Sequence, residues 1–427
     1  MSEIKQIKIA DGVDACFVVT DRFKTSKVLV TMAMPLEGDV SARAALPFVL
    51  RRSCRKYPDF SSLNGYLDEL YGASLQAGVE KLGEAHLVKM GISVIGDRFT
   101  LDGESVAERA VELLFDLIFD PKLENGIFDP SDVEIEKRLL AERMVSELDD
   151  KRVYAVSRCQ ELMCEGEAFG KNRYGELSEI ESLTPKRVFD AWRGVLKSAV
   201  IRVVVAGDSD TDKIEKMLSD KFSEIERSPS AISTSFIKSA RGERYFSEEQ
   251  PVKQGKLVMG FRAGMESKDD YRTAMTVMSD IFGGGTYSRL FLNVREKMSL
   301  CYYCGSRLNR EKGIMIVQSG IETENEEKMK TAILEQLDAL RAGDFTKETL
   351  EASMLSINET LRAYGDSPDA LCSWYSAQLL DEVIKTPDER AAEFNAVTFD
   401  EVCGAAKEVT LDTVFMLIGT EGNSDGN

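Results

Sequence analysis

Histidine is almost absent. His86 is the single one among 427 residues, so a zinc site with two or three imidazoles cannot be built within the chain. Any Ser-His-Asp or Cys-His device would have to use it too. His86 opens HLVKMGISV, a strand-like stretch ending at Val94, where a structural role is expected. Positive charge is also short: 54 Lys and Arg face 73 Asp and Glu, and the net charge of -19 argues against a general nucleic-acid binder. No run of about 18 apolar residues occurs. The opening stretch MSEIKQIKIADGVDACF carries no apolar segment behind a basic start, so no membrane association is expected and the chain is placed in the cytoplasm. Cysteines are few and scattered; the eight read as reduced thiols acting as small hydrophobes, not as the framework of a small secreted domain.

With 43% hydrophobic and 30% charged residues, the chain has an ordinary globular composition and the length for two or three domains. Its two halves read alike. VLVTMAMP (Val28 to Pro35) and KLVMGFRAG (Lys256 to Gly264) are matching strands. A helix follows each: Ser61 to Tyr71 with Leu63, Leu67, Leu70 and Tyr71 on one face, and Ser288 to Met298 with Leu290, Phe291, Val294 and Met298. Next come strands (Ala73 to Val79; Leu300 to Arg307), further strands (His86 to Val94; Gly313 to Ile321) and amphipathic helices (Glu104 to Phe119; Glu326 to Leu340). The closing strands are Val200 to Gly207 and Val414 to Gly419. The expectation is an α+β protein of two homologous domains, each a mostly antiparallel sheet with helices packed on one face. The ranges are 1–227 and 255–420, joined by a Ser-rich, charged linker at 228–254 and followed by a disordered tail at 421–427.

Three consecutive glycines, Gly283, Gly284 and Gly285, invite a phosphate-loop reading. The run GGGTYSR fits neither the Walker pattern nor Gly-x-Gly-x-x-Gly, and it follows a helix-like segment, Tyr271 to Ile281, instead of a strand. Cys301-Tyr302-Tyr303-Cys304 is a single Cys-x-x-Cys on an expected strand, where residues three apart face opposite ways. Cys159 and Cys164 lack a partner pair at metal-site spacing. Arg51, Arg52, Arg55 and Lys56 form a basic cluster, read first as a solvated face.

The segment GGGTYSRLFLNVREKMSLCY resembles the C-terminal-domain motif of the M16, or insulinase/pitrilysin-like, metallopeptidases. The duplicated α+β domains agree, so the resemblance covers nearly the whole chain. Leu46-Pro47-Phe48-Val49-Leu50, Tyr57-Pro58-Asp59, Leu63 to Ala73 and Asp149-Asp150-Lys151 resemble the non-catalytic, YmfF-like bacterial members. In M16 enzymes a His-x-x-Glu-His helix of the N-terminal domain supplies two zinc ligands and the general base, a downstream glutamate completes the site, and an Arg/Tyr pair of a C-terminal domain grips substrate. That pair falls on Arg295 and Tyr302. The chemistry suits them: arginine donates in a fixed fork, and a tyrosine hydroxyl can donate to a carbonyl oxygen that turns negative as water attacks.

The metal half departs from the pattern. Leu46 to Arg51 stands where His-x-x-Glu-His belongs, and neither His nor Glu occurs between Ser41 and Phe60. Glu134-Ile135-Glu136-Lys137 resembles the start of the second acidic motif, but Arg143 stands where the third ligand is expected, and Glu142 is one position off, about 100° round a helix. The resemblance therefore implies a non-catalytic subunit, inactive as a peptidase alone. It would bind a peptide substrate through Arg295, Tyr302 and the loop Gly283–Gly285, while an M16 partner carrying His-x-x-Glu-His holds the zinc. In that reading no residue of this chain alone is catalytic, and the chain itself holds no metal or cofactor. The alternative is a peptidase-like binding or scaffold protein with no proteolytic role.

Overall fold

The structure is a computed structural model, and it describes residues 3–101, 103–267 and 272–420. The expected tail at 421–427 and Tyr271, the expected helix start, lie outside the described residues.

Two compact units emerge, and neither is an uninterrupted half of the chain. The first takes Met1–Val145, Lys171–Ser233 and Ala363–Ile384; the second takes Ser146–Gly170, Thr234–Arg362 and Lys385–Asn427. Each half thus lends one helical segment to the unit built by the other.

In the first unit, strands β1 (Glu3–Ala10), β2 (Val13–Val19), β3 (Thr25–Pro35), β4 (Ser74–Leu82) and β5 (Ala85–Ile95) are followed by a two-residue hairpin pair, β6 (Leu123–Glu124) and β7 (Ile127–Phe128), and by β8 (Val200–Gly207). The main sheet has the order β1-β2-β8-β3-β5-β4. All its pairings are antiparallel except β2 with β8. Side chains alternate across a strand, so β3 serves two layers. Val28, Val30 and Met32 join the main core with the helices Val40–Leu50, Val106–Phe119 and Pro185–Ser198. The residues between them face the lent helix, Pro368–Ser376, where the Lys27 ammonium pairs with Asp369 and the Thr31 and Ser376 hydroxyls meet at 2.9 Å.

The second unit holds β9 (Arg244–Gln250), β10 (Gly255–Arg262), β11 (Tyr303–Asn309), β12 (Ile314–Ile321) and β13 (Thr410–Gly419), in the order β11-β12-β10-β13-β9. Only β13 with β9 is parallel. Strand for strand this repeats β4-β5-β3-β8-β2, so the duplication read in the sequence extends to the topology. Here the lent helix is Lys151–Met163, whose Cys159 and Met163 pack with Val258, Ile316, Phe415 and Leu417. Gly260 belongs to that contact, because a Cβ there would sit 2.6 Å from the Met163 sulfur. In both units, then, helices of the same half cover one face, and the other face carries a helix from the other half.

The linker reading of 228–254 is corrected: β9 lies inside it and pairs with β13 over its whole length. RYFSEEQ alternates half-buried and exposed residues and is rich in charge, so its edge-strand pattern resembles a polar connection.

Candidate functional site

The place of the expected zinc helix is the helix Val40–Leu50, and every residue of it is buried. Asp39 caps it, accepting from the Ala42 N–H at 3.0 Å. Burial works against the Asp39 carboxylate, but the Arg187 guanidinium and that N–H hold it below its ordinary range. Leu46, Phe48, Val49 and Leu50 all belong to the main core. What surrounds them is closed chemistry. Arg143, at the expected third-ligand position, lies over the Phe48 ring at 4.2 Å, a cation–π contact. Arg52 forms ion pairs with Asp132 at 2.6 Å and Glu136 at 3.0 Å, so the buried Glu136 carboxylate is already neutralised. Glu142 is exposed and faces Arg138 at 3.8 Å. These residues do not fit zinc: hydrocarbon fills the ligand positions, and the remaining carboxylates are paired. Among the described residues no group of three or more His, Cys, Asp or Glu could hold a metal ion.

Arg295 and Tyr302 come together in the second unit. The helix carrying Arg295, Leu290–Lys297, has the wide π pitch and continues into a turn in which the Met298 N–H reaches back five residues to the Asn293 carbonyl at 3.0 Å. Ser299 then takes a left-handed φ of 54°, and the chain folds back to place Tyr302 at the mouth of β11. There the Arg295 Nε donates to the Tyr302 carbonyl at 3.0 Å, while the Tyr302 N–H donates to the Gly320 carbonyl at 3.1 Å. The guanidinium also lies 4.6 Å over the Phe291 ring. Tyr302 itself is 66% exposed, and its main-chain carbonyl holds the arginine. The wide pitch changes the face expected for this helix: Leu290 and Val294 are buried, but Met298 is exposed, as is Leu292.

Of the three glycines, Gly283 sets a close approach to β11. Gly283 ends the helix Arg272–Gly283, and a Cβ there would stand 2.5 Å from the Ser306 nitrogen of β11. The helix approaches the strand this closely only without a side chain. Behind the loop, the Asp280 carboxylate accepts from Tyr287 and from the Ser353 hydroxyl, and burial raises its pKa. Arg289 donates to the Asp344 carbonyl and, at 3.2 Å, to Gln336, which also accepts from Asn293 at 2.8 Å. Asp280, Gln336 and Ser353 were not singled out in the sequence. Asp280 precedes Gly284 by one helical turn, which is the only local signal it offers.

His86 is structural. Nε2 donates to the Arg173 carbonyl at 2.9 Å, Nδ1 is buried without a partner, and burial, with the Arg43 charge, pushes its pKa down to about 3. In the basic cluster Arg55 and Lys56 are exposed, as a solvated face requires, with Arg55 pairing with Asp120 at 2.9 Å and Lys56 over Tyr57, whereas Arg52 is bound in the ion pairs above and Arg51 lies over Phe48.

A fold of two topologically repeated units, a core-filled metal position and the Arg295–Tyr302 turn define an inactive metalloprotease-like protein, and the chain belongs to the peptidase M16 family. The family model described as Peptidase M16 inactive domain matches residues 182–356. The chain is 32% identical to the Probable inactive metalloprotease YmfF of Bacillus subtilis (strain 168), over 99% of this chain and 100% of that protein. Among solved structures, a conserved protein from Enterococcus faecalis V583 superposes with a TM-score of 0.89 at 26% identity, covering 99% of this chain and 100% of that one. A peptidase M16 inactive domain from Pseudomonas fluorescens shares the fold at a TM-score of 0.79 and 14% identity, over 98% of each chain.

Proposed function

We propose that this chain is the non-catalytic, peptide-binding subunit of a heterodimeric M16-type zinc metallopeptidase, whose zinc site belongs to a partner carrying His-x-x-Glu-His. The observation that supports it most is the contrast between the two sites. The metal position is packed with Leu46, Phe48, Val49 and Leu50, whereas Arg295 and Tyr302 share one turn and Tyr302 stays exposed.

In this reading the Tyr302 hydroxyl donates to a peptide carbonyl oxygen, and its donation strengthens as that oxygen gains negative charge. Nε is committed to Tyr302 and one Nη lies 3.4 Å from the exposed Glu296 carboxylate, so the Nη donors hold a neighbouring peptide carbonyl by exchanging that surface pair. In the loop Gly283–Gly285, which borders the site in this reading, Gly283 lets its helix approach β11 closely, and exposed Leu292 and Met298 offer apolar surface for a peptide side chain. A zinc ion held by the partner's His-x-x-Glu-His helix would supply the activated water. The test is reconstitution: an M16 chain with an intact zinc motif is mixed with this one, and complex formation and peptide cleavage are followed. The reading expects a stable complex with cleavage above that of either chain alone. A complex without cleavage favours the scaffold alternative.

A further inference from the structure

The filled metal position leaves two cations without a counterion. Among the described residues the guanidiniums of Arg51 and Arg143 pair with no carboxylate. Each lies instead over one ring, that of the buried Phe48, at 6.0 Å for Arg51 and 4.2 Å for Arg143. The nearby carboxylates are taken by other arginines: Asp132 and Glu136 by Arg52, and Glu142 by Arg138. A chain of net charge -19 thus carries an uncompensated pair of positive charges at one aromatic ring. Both arginines are half-buried. The ring fixes where each guanidinium sits, and the N–H donors stay available to a carboxylate. The position is also reversed in charge: the family pattern expects a glutamate ligand where Arg143 stands, and the segment in place of the zinc motif ends on Arg51. Beside the cations, Leu139 lies one turn before Arg143 on the helix Pro130–Asp149 and is 38% exposed.

We propose that Arg51 and Arg143 form a carboxylate-binding site for an acidic peptide, with Phe48 holding the two guanidiniums and Leu139 meeting an apolar neighbour of the acidic group. Charges that are partly buried are screened less than those on an open surface, and a guanidinium can donate two N–H groups to one carboxylate. The carboxylate comes from an Asp or Glu side chain or from a peptide C-terminus. All four residues lie in the first unit, so the site stands whether or not Tyr302 grips a peptide.

The test titrates the full chain alone, by calorimetry at low salt, with acetylated peptides: Ala-Leu-Glu-Ala amide, Ala-Leu-Gln-Ala acid and Ala-Leu-Gln-Ala amide. The first carries only a side-chain carboxylate, the second only a terminal one, and the last carries none. At least one of the acidic peptides is expected to bind and the neutral amide is not, and the tighter acid names the source of the carboxylate. Arg51→Gln and Arg143→Gln should each weaken that binding by about tenfold or more. Arg362→Gln removes the same charge from an exposed residue of the second unit and should leave it unchanged. The proposal is overturned if no peptide binds, if the neutral amide binds as tightly as the acids, or if Arg143→Gln binds like the unaltered chain. The comparison of peptides needs no substitution, so a variant that misfolds does not shield the proposal. Cleavage by a reconstituted pair does not enter this readout, so failure here and failure of the peptidase reading are separate results.

Discussion

The Arg295 Nε donates to the main-chain carbonyl of Tyr302 at 3.0 Å, seven residues further on. One side chain of the pair is thus oriented by the backbone of the other. A lysine keeps the charge but not the fork, and cannot hold the carbonyl while presenting further donors. In the reconstituted complex Arg295→Lys is expected to lose roughly tenfold or more in kcat/KM, close to Arg295→Ala. Rescue by lysine would show that charge alone suffices.

A single histidine makes one titration unambiguous. His86 is buried neutral, with a pKa of about 3 against an ordinary 6.5. The unfolded chain therefore binds the proton first. Stability is fully present above about pH 6.5 and falls as pH drops towards 3, a loss of several kcal/mol in principle. The imidazole carbon resonances should stay in the neutral form at pH 5, and urea midpoints should decline below pH 6.5. A folded-state midpoint near 6.5 would contradict the burial argument.

Periodicity carried most of the architecture into view. The long strands and amphipathic helices read from the sequence recur with shifted ends, because their apolar residues sit in the two cores. Exchange of the lent helices was invisible, since Lys151–Met163 looks amphipathic whichever sheet it covers. β9 was missed because an edge strand with charged residues has too little apolar signal. The Arg295–Tyr302 pair was legible from the motif. Its geometry was not, because a π-pitch helix and a left-handed Ser299 shift every side chain relative to an α-helical projection.

The metal position admits no simple restoration. Writing the zinc motif as Leu46→His, Val49→Glu and Leu50→His places polar groups where exposure is 0%, 3% and 1%. Each lost core contact and each buried polar group costs about 2 kcal/mol or more. The triple variant should fail to fold or lose its cooperative thermal transition, without gaining zinc by elemental analysis. A folded variant with one tightly bound zinc would show that the site is merely mutated, not filled.

Gly283 tests the close approach to β11. Gly283→Ala drives a Cβ to 2.5 Å from the Ser306 nitrogen, a backbone atom that cannot yield. A loss of about 1–3 kcal/mol is expected by denaturant unfolding, with faster amide exchange at Tyr302 and across β11. Unchanged exchange at Tyr302 would disconnect the glycines from the Arg295 turn.

In the proposed heterodimer this chain supplies the peptide-gripping side chains and the metal lies in the partner. The most direct measurement of this role is kcat/KM of the reconstituted pair with Tyr302→Phe in this chain, a change that removes one hydroxyl from a 66% exposed side chain. A fall of about 10²-fold is expected, with complex formation and zinc content of the partner unchanged, as when a donor to a developing oxyanion is removed. Equal cleavage by Tyr302→Phe and the unaltered chain would contradict it.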